Sequence, residues 1–130
     1  MRFRLENRSG YDTNDLGRFF ARGLQATNTK ADGLRIVVVA SPVRSRGCAS
    51  VGGRQMVIAI AAPWRFSLRR LARMFEHECA HIRGVEHRMM ERQLLYSLGP
   101  TPAWAEEVGA PRYLGRAPPQ LPLLRRNSRS

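Results

Sequence analysis

Lysine is nearly missing from this chain: of 22 basic residues only Lys30 is a lysine, and the rest are arginines. Cysteine is scarce too. Cys48 and Cys79 are the only two, too few for the disulfide framework that staples small secreted domains. No run is long and apolar enough to span a membrane, which takes about 18–20 residues. The opening Met1-Arg2-Phe3-Arg4-Leu5-Glu6 holds no apolar signal-peptide core. Internal repeats are not apparent. These absences set aside a membrane protein and a disulfide-rich secreted scaffold, and they predict a soluble protein of the reducing cytoplasm. The 130 residues, 43% of them hydrophobic, suffice for one compact domain with a single core.

Acidic residues are few as well, 10 against 22 basic, leaving a net charge of +12. The arginines are scattered rather than striped, apart from Arg69, Arg70 and Arg73 and the Arg125, Arg126, Arg129 tail. Few aromatics interleave with them, unlike the stacking platforms of single-strand binders. The arginine bias, with abundant Ala and Gly, is also what a GC-rich coding sequence produces. The charge therefore reads as a solvated basic surface that attracts polyanions, nucleic acid included, at low salt.

What is present is concentrated. All three histidines fall within His77-Glu78-Cys79-Ala80-His81-Ile82-Arg83-Gly84-Val85-Glu86-His87, which satisfies H-E-x-x-H-x-x-G-x-x-H at each of its five fixed positions. At ordinary residue frequencies such a match arises in fewer than about one chain of this size in 10⁵. Histidines four apart on a helix share a face and can grip one ion. A catalytic zinc takes three protein ligands and leaves a fourth position open. His87, six residues beyond His81, would on a straight helix lie about 9 Å further along and on another face. The chain must turn first, and Gly84 is the residue suited to do so. Glu78 leans toward the same opening, where it can take a proton from the attacking water and hand it to a leaving amine. A purely structural zinc site would need no such base. Cys79, about 200° around the helix from His77, points away from the metal and reads as core.

The surrounding pattern predicts an α+β domain over residues 1–115 with a mobile Pro/Arg-rich tail over 116–130. A weak strand spans Phe3 to Asn7. Asp12 or Thr13 caps a helix with Leu16, Phe19, Phe20 and Leu24 on its apolar face, broken at Asp32-Gly33. Leu34 to Ala40 is a buried strand by its β-branched run. Arg46 to Val51 and Gln55 to Ala61 form a hairpin through Gly52-Gly53. Ser67 caps the motif helix, whose stripe Leu68, Leu71, Ala72, Phe75, Cys79 and Ile82 excludes the histidines. Further helices are expected over Arg88 to Leu98, closed by Gly99-Pro100, and over Trp104 to Val108. The sum is a twisted sheet of three or four strands packed on a backing helix and an active-site helix.

In motif and in element order the chain resembles a small zincin metallopeptidase, most like the metzincin group. The resemblance implies a zinc-dependent peptidase of peptide or protein substrates, with one catalytic Zn²⁺ on His77, His81 and His87 and with Glu78 as general base. It also implies an edge strand that holds an extended substrate by backbone pairing, for which Gly47 to Val51 is the candidate. Met89 and Met90 are the only methionines after His87, so the methionine turn of that group has no partner at its usual distance. Tyr96, Tyr113 or an arginine are candidates to stabilise an oxyanion. Three alternatives stand beside this. In gluzincins the third ligand is a glutamate on a later helix, and Pro102-Ala103-Trp104-Ala105-Glu106-Glu107 loosely resembles that element. The bacterial endoribonuclease family that matures ribosomal RNA is similar in size, order and histidine spacing, but has glycine where this chain has Glu78 and aspartate where it has Glu86. A DNA-associated protease of the SprT-like type would join peptidase chemistry to basic charge.

Overall fold

The computed structural model describes residues 2–90 and 99–116. They form a mixed α+β fold built on one four-stranded sheet. Strand β1 (Arg4–Arg8) leads into helix α1 (Thr13–Ala26), then β2 (Arg35–Ser41), β3 (Arg46–Ala49) and β4 (Gln55–Ala61). A single 3-10 turn (Pro63–Arg65) precedes the motif helix α2 (Leu68–Ile82), followed by the short helices α3 (His87–Met90) and α4 (Ala103–Val108). Spatial order is β1-β2-β4-β3, with β1, β2 and β4 mutually parallel and β3 antiparallel to β4 at the edge.

Alternation decides which face is covered. Ile36 and Val38 of β2 and Met56, Ile58 and Ile60 of β4 point to one side and are almost fully buried, as the period-2 pattern requires. Leu16, Phe19 and Phe20 of α1 and Leu71, Ala72 and Phe75 of α2 pack over them. Phe75 also meets Phe20 at 4.9 Å, and Trp104 of α4 closes the layer against Phe19 at 4.9 Å. Burying each such ring contributes roughly 1.5–3 kcal/mol. On the opposite face Arg35 bonds Glu6 (Nη2–Oε2 2.8 Å) and Gln55 (Nη1–Oε1 3.0 Å) across three strands.

Local chemistry sets the ends. Asp12, not Thr13, caps α1 by accepting from Asp15 N–H at 3.0 Å, and Ser67 caps α2 by accepting from Arg70 N–H at 3.1 Å. Helix α1 ends at Ala26, well before Asp32-Gly33. There Thr27 Oγ1 donates to the Gly23 carbonyl (2.8 Å) and Asn28 takes a positive φ of 56°, which stops propagation. The β3–β4 hairpin forms as expected, but β3 stops at Ala49 because Gly53 N–H folds back on the Ser50 carbonyl (3.0 Å). Of the helix expected over Arg88 to Leu98, residues 91–98 and the side chains of Met89 and Met90 lie outside the described residues, as does the segment 117–130. Among the described residues no helix is long and apolar enough to cross a membrane.

Residues 112–114 tie back to the start of α1. Arg112 places its backbone N–H (3.0 Å) and Nε (2.8 Å) on Asp15 Oδ2, and Leu114 N–H reaches the Gly10 carbonyl at 2.7 Å. These bonds from Arg112 hold the Asp15 carboxyl far below its usual 3.8. A depressed carboxyl stabilises the fold above its unfolded pKa, and that stability drains as pH falls from about 4 toward the folded value. Asp15→Asn is therefore expected to flatten the acid limb of a pH–stability curve below about pH 4, read by urea unfolding. An identical acid limb in the variant would contradict the lock.

Candidate metal centre

Helix α2 and the turn after it bring the three histidines to one point. His77 and His81 project from successive turns of α2, and His87 opens α3. His81 Nε2 lies 3.1 Å from His77 Nε2 and 3.1 Å from His87 Nε2, and one ligand nitrogen from each falls within 4.8 Å of the others. The His81 ring stands at 88° to both neighbours. His81 is buried, His77 half-buried and His87 exposed, so the trio is rooted in the core and open on one side. Burial first, then the neighbouring imidazoles, lower the His77 pKa and favour the neutral form that binds metals. This group can hold a metal ion.

The turn that delivers His87 is a Schellman closure. Gly84 has φ 97°, its N–H meets the His81 carbonyl at 2.9 Å, and Val85 N–H meets the Ala80 carbonyl at 3.0 Å, the paired bonds that end a helix through a left-handed residue. The same turn swings the Val85 carbonyl to 2.8 Å from His81 Nδ1. A carbonyl only accepts, so Nδ1 donates to it, and Nε2 faces the other two rings. The hairpin supports this end of the helix too, through Gly52 N–H on the His81 carbonyl at 2.7 Å. A Cβ on Gly84 meets nothing within 4 Å, so the demand there is conformational. Gly84→Ala is expected to cost about 1–2 kcal/mol in unfolding free energy and to weaken metal binding, since Val85 and His87 shift with the turn. Parent-like zinc affinity in that variant would show that the turn is not part of the site.

Glu78 is 4% exposed, and its Oε1 has no hydrogen-bond partner among the described residues. Burial pushes its carboxyl up to about 7; a cation held by the histidines would pull it back down. A buried carboxylate oxygen left without a donor is costly, and such a cost is commonly retained where the group has work to do.

Strand β3 passes directly over this residue. A Cβ on Gly47 would sit 2.7 Å from Met74 Sδ and 3.0 Å from Glu78 Cγ, so any larger residue there would have to push the Met74 and Glu78 side chains aside. Between β3 and the first half of α2 opens a cavity of about 530 Å³ that includes His77 and Glu78. Arg44 and Arg46 line one wall, and Arg69, Arg70 and Arg73 the other.

The remaining sequence candidates fall elsewhere. Cys79 is fully buried and its thiol is pushed up to about 11 by burial, in keeping with a core role. Both cysteines are free. Glu106 is exposed on α4 and outside the metal-capable group. The α4 element is instead anchored by Trp104, whose Nε1 donates to Glu76 at 2.9 Å. Tyr113 packs edge-on against Tyr11 at 5.0 Å and does not line the cavity; Tyr96 lies outside the described residues. Of the oxyanion candidates among the described residues, only arginines reach the cleft. Sequence reasoning missed Arg44, the close approach at Gly47 and the Val85 carbonyl. Arg70, Arg73 and His77 do share helical spacing, a signal that tied the basic cluster to the metal helix. A scan against protein-family models finds no match, and searches of curated proteins and of solved structures find none either.

Proposed function

We propose that the protein is a zinc-dependent hydrolase of peptide bonds, with His77, His81 and His87 as ligands and Glu78 as general base. The observation that carries this reading is the buried, unpartnered Glu78 Oε1 beside three convergent imidazole nitrogens. The donor set suits zinc. Tetrahedral zinc with nitrogens at about 2.0–2.1 Å separates them by about 3.4 Å, close to the 3.1 Å pairs around His81. Three imidazoles without thiolate or a second carboxylate match a catalytic rather than a closed structural site.

When bound, zinc supplies a Lewis acid that polarises a scissile carbonyl and acidifies water. The chain's own groups do the rest. Glu78 takes a proton from the attacking water, whose oxygen bonds to the carbonyl carbon. It then delivers that proton to the amide nitrogen as the C–N bond breaks, so one water is consumed and a carboxylate and an amine are released. The edge strand β3, over Glu78, offers backbone groups to an extended peptide. The Val85 carbonyl keeps the His81 ring in the tautomer and orientation a ligand needs.

The arginine walls favour a second reading, a zinc-dependent endoribonuclease acting on single strands. Zinc-loaded protein offered an unfolded polypeptide and a single-stranded RNA in parallel separates the two. New amino termini with intact RNA are expected; cut RNA with an intact polypeptide would reverse the class.

A further inference from the structure

The cavity beside the metal centre carries bare positive charge. Arg44, Arg46 and Arg70 are exposed, and their guanidinium groups make no hydrogen bond or ion pair among the described residues. Other arginines are matched, Arg73 by Glu76 and Arg69 by the Gly99 carbonyl at the cavity itself. Elsewhere Arg35 is matched by Glu6, Arg22 by Glu107, and Arg112 by Asp12 and Asp15. Among the described residues the only carboxylate lining the cavity is Glu78. The five arginines also share one side of the histidines. Gly47 of β3 abuts Met74 and Glu78, and the following turn reaches His81 through Gly52 N–H. Strand β3 therefore runs in the same direction as α2, which puts Arg44 and Arg46 alongside the helix start that carries Arg69, Arg70 and Arg73.

Resting on the peptidase reading above, we propose that this cleft selects peptide substrates bearing Asp or Glu side chains on a single side of the scissile bond. The planar guanidinium fork matches a carboxylate in two-point contact. Helix rise sets the spacing: Arg70 stands about 10 Å from His77 along the axis. At about 3.3 Å per residue of extended chain, that places an acidic position about three residues from the cut bond. An extended peptide is favoured over a nucleic-acid strand because the opposite wall is the edge of a sheet. Its backbone groups pair with a peptide's own, and among the described residues no Phe, Tyr or Trp ring lines the cavity to stack a base.

The test uses two peptides that differ only in Glu against Gln at three consecutive positions on one side of the cleavable bond, each made in both orientations. Zinc-loaded protein is expected to cut the Glu peptide of one orientation with about tenfold higher kcat/KM than its Gln twin. Glu78→Gln protein is expected to bind the Glu peptide more tightly by fluorescence anisotropy. Removing two charges from the cleft (Arg44→Gln with Arg70→Gln) should bring the Glu/Gln ratio toward one. Removing two from the exposed ends of β1 (Arg4→Gln with Arg8→Gln) should leave it. Equal cutting of Glu and Gln peptides would overturn the acidic preference while the peptidase reading stands. Equal loss in both double variants would trace the preference to net charge and overturn the assignment to the cleft. Failure to cut any peptide, with or without cutting of RNA, would overturn the peptidase reading and this inference with it.

Discussion

Glu78→Gln is expected to lower peptide turnover by about 10²–10⁴-fold, the contribution of a positioned general base, while zinc still binds. The substitution keeps the side chain's shape, so β3 still passes over position 78 with Gly47 in contact. What changes is chemistry: an amide cannot take a proton from water or return it to a leaving nitrogen. The variant is also expected to be at least as stable as the parent, because it removes a buried carboxyl whose pKa burial raises to about 7. The pH dependence follows from the same group. In the metal-free protein Glu78 is ionised only as pH rises through about 7, whereas a bound cation lowers that value. The rising limb of activity should therefore sit below pH 7 in the zinc-loaded protein. Undiminished turnover in Glu78→Gln would remove the general base from the mechanism.

His81→Ala should have the larger effect on the metal. His81 is the hub of the trio, 3.1 Å from each of the other two ligand nitrogens, and the only one of the three that is buried. Its loss also leaves the Val85 carbonyl without the Nδ1 partner. Outer-shell partners alone are worth about 10–100-fold in metal affinity, so losing this ligand together with its oriented partner should exceed about 100-fold in a zinc competition titration. His87→Ala should weaken zinc by a smaller but clear factor, because His87 lies on the exposed side. Glu106→Ala should leave affinity unchanged. If Glu106→Ala weakened zinc and His87→Ala did not, the third ligand would be the glutamate of α4.

How far these residues were readable in the sequence depends on how local each interaction is. The four-residue spacing of His77 and His81, the cap at Ser67 and the glycine pair after β3 are short-range patterns, and each forms within a few residues of where it is written. Gly84 was legible as a turn, because a third ligand six residues on cannot lie on the same straight helix. The direction of the Val85 carbonyl was not: it depends on both hydrogen bonds of the turn closing together. Gly47 carries no local signal of its role, since its neighbours Met74 and Glu78 come from an element about thirty residues later. Arg44 and Arg46 looked like scattered surface charge until the hairpin folded them against the start of α2. The Asp15–Arg112 lock joins residues 97 apart and is invisible to any periodicity. The α1 boundary failed for a different reason. A glycine after an aspartate is a strong breaker, but Thr27 and Asn28 stop the helix first with their own side-chain and backbone geometry.

The proposed zinc centre holds the ion on three imidazoles and leaves one position open beside Glu78. X-ray absorption on protein loaded with one equivalent of zinc tests it most directly. Three imidazole nitrogens at about 2.0–2.1 Å and a single further light-atom ligand are expected. A sulfur shell at about 2.3 Å, or a spectrum with fewer than three imidazoles, would contradict it.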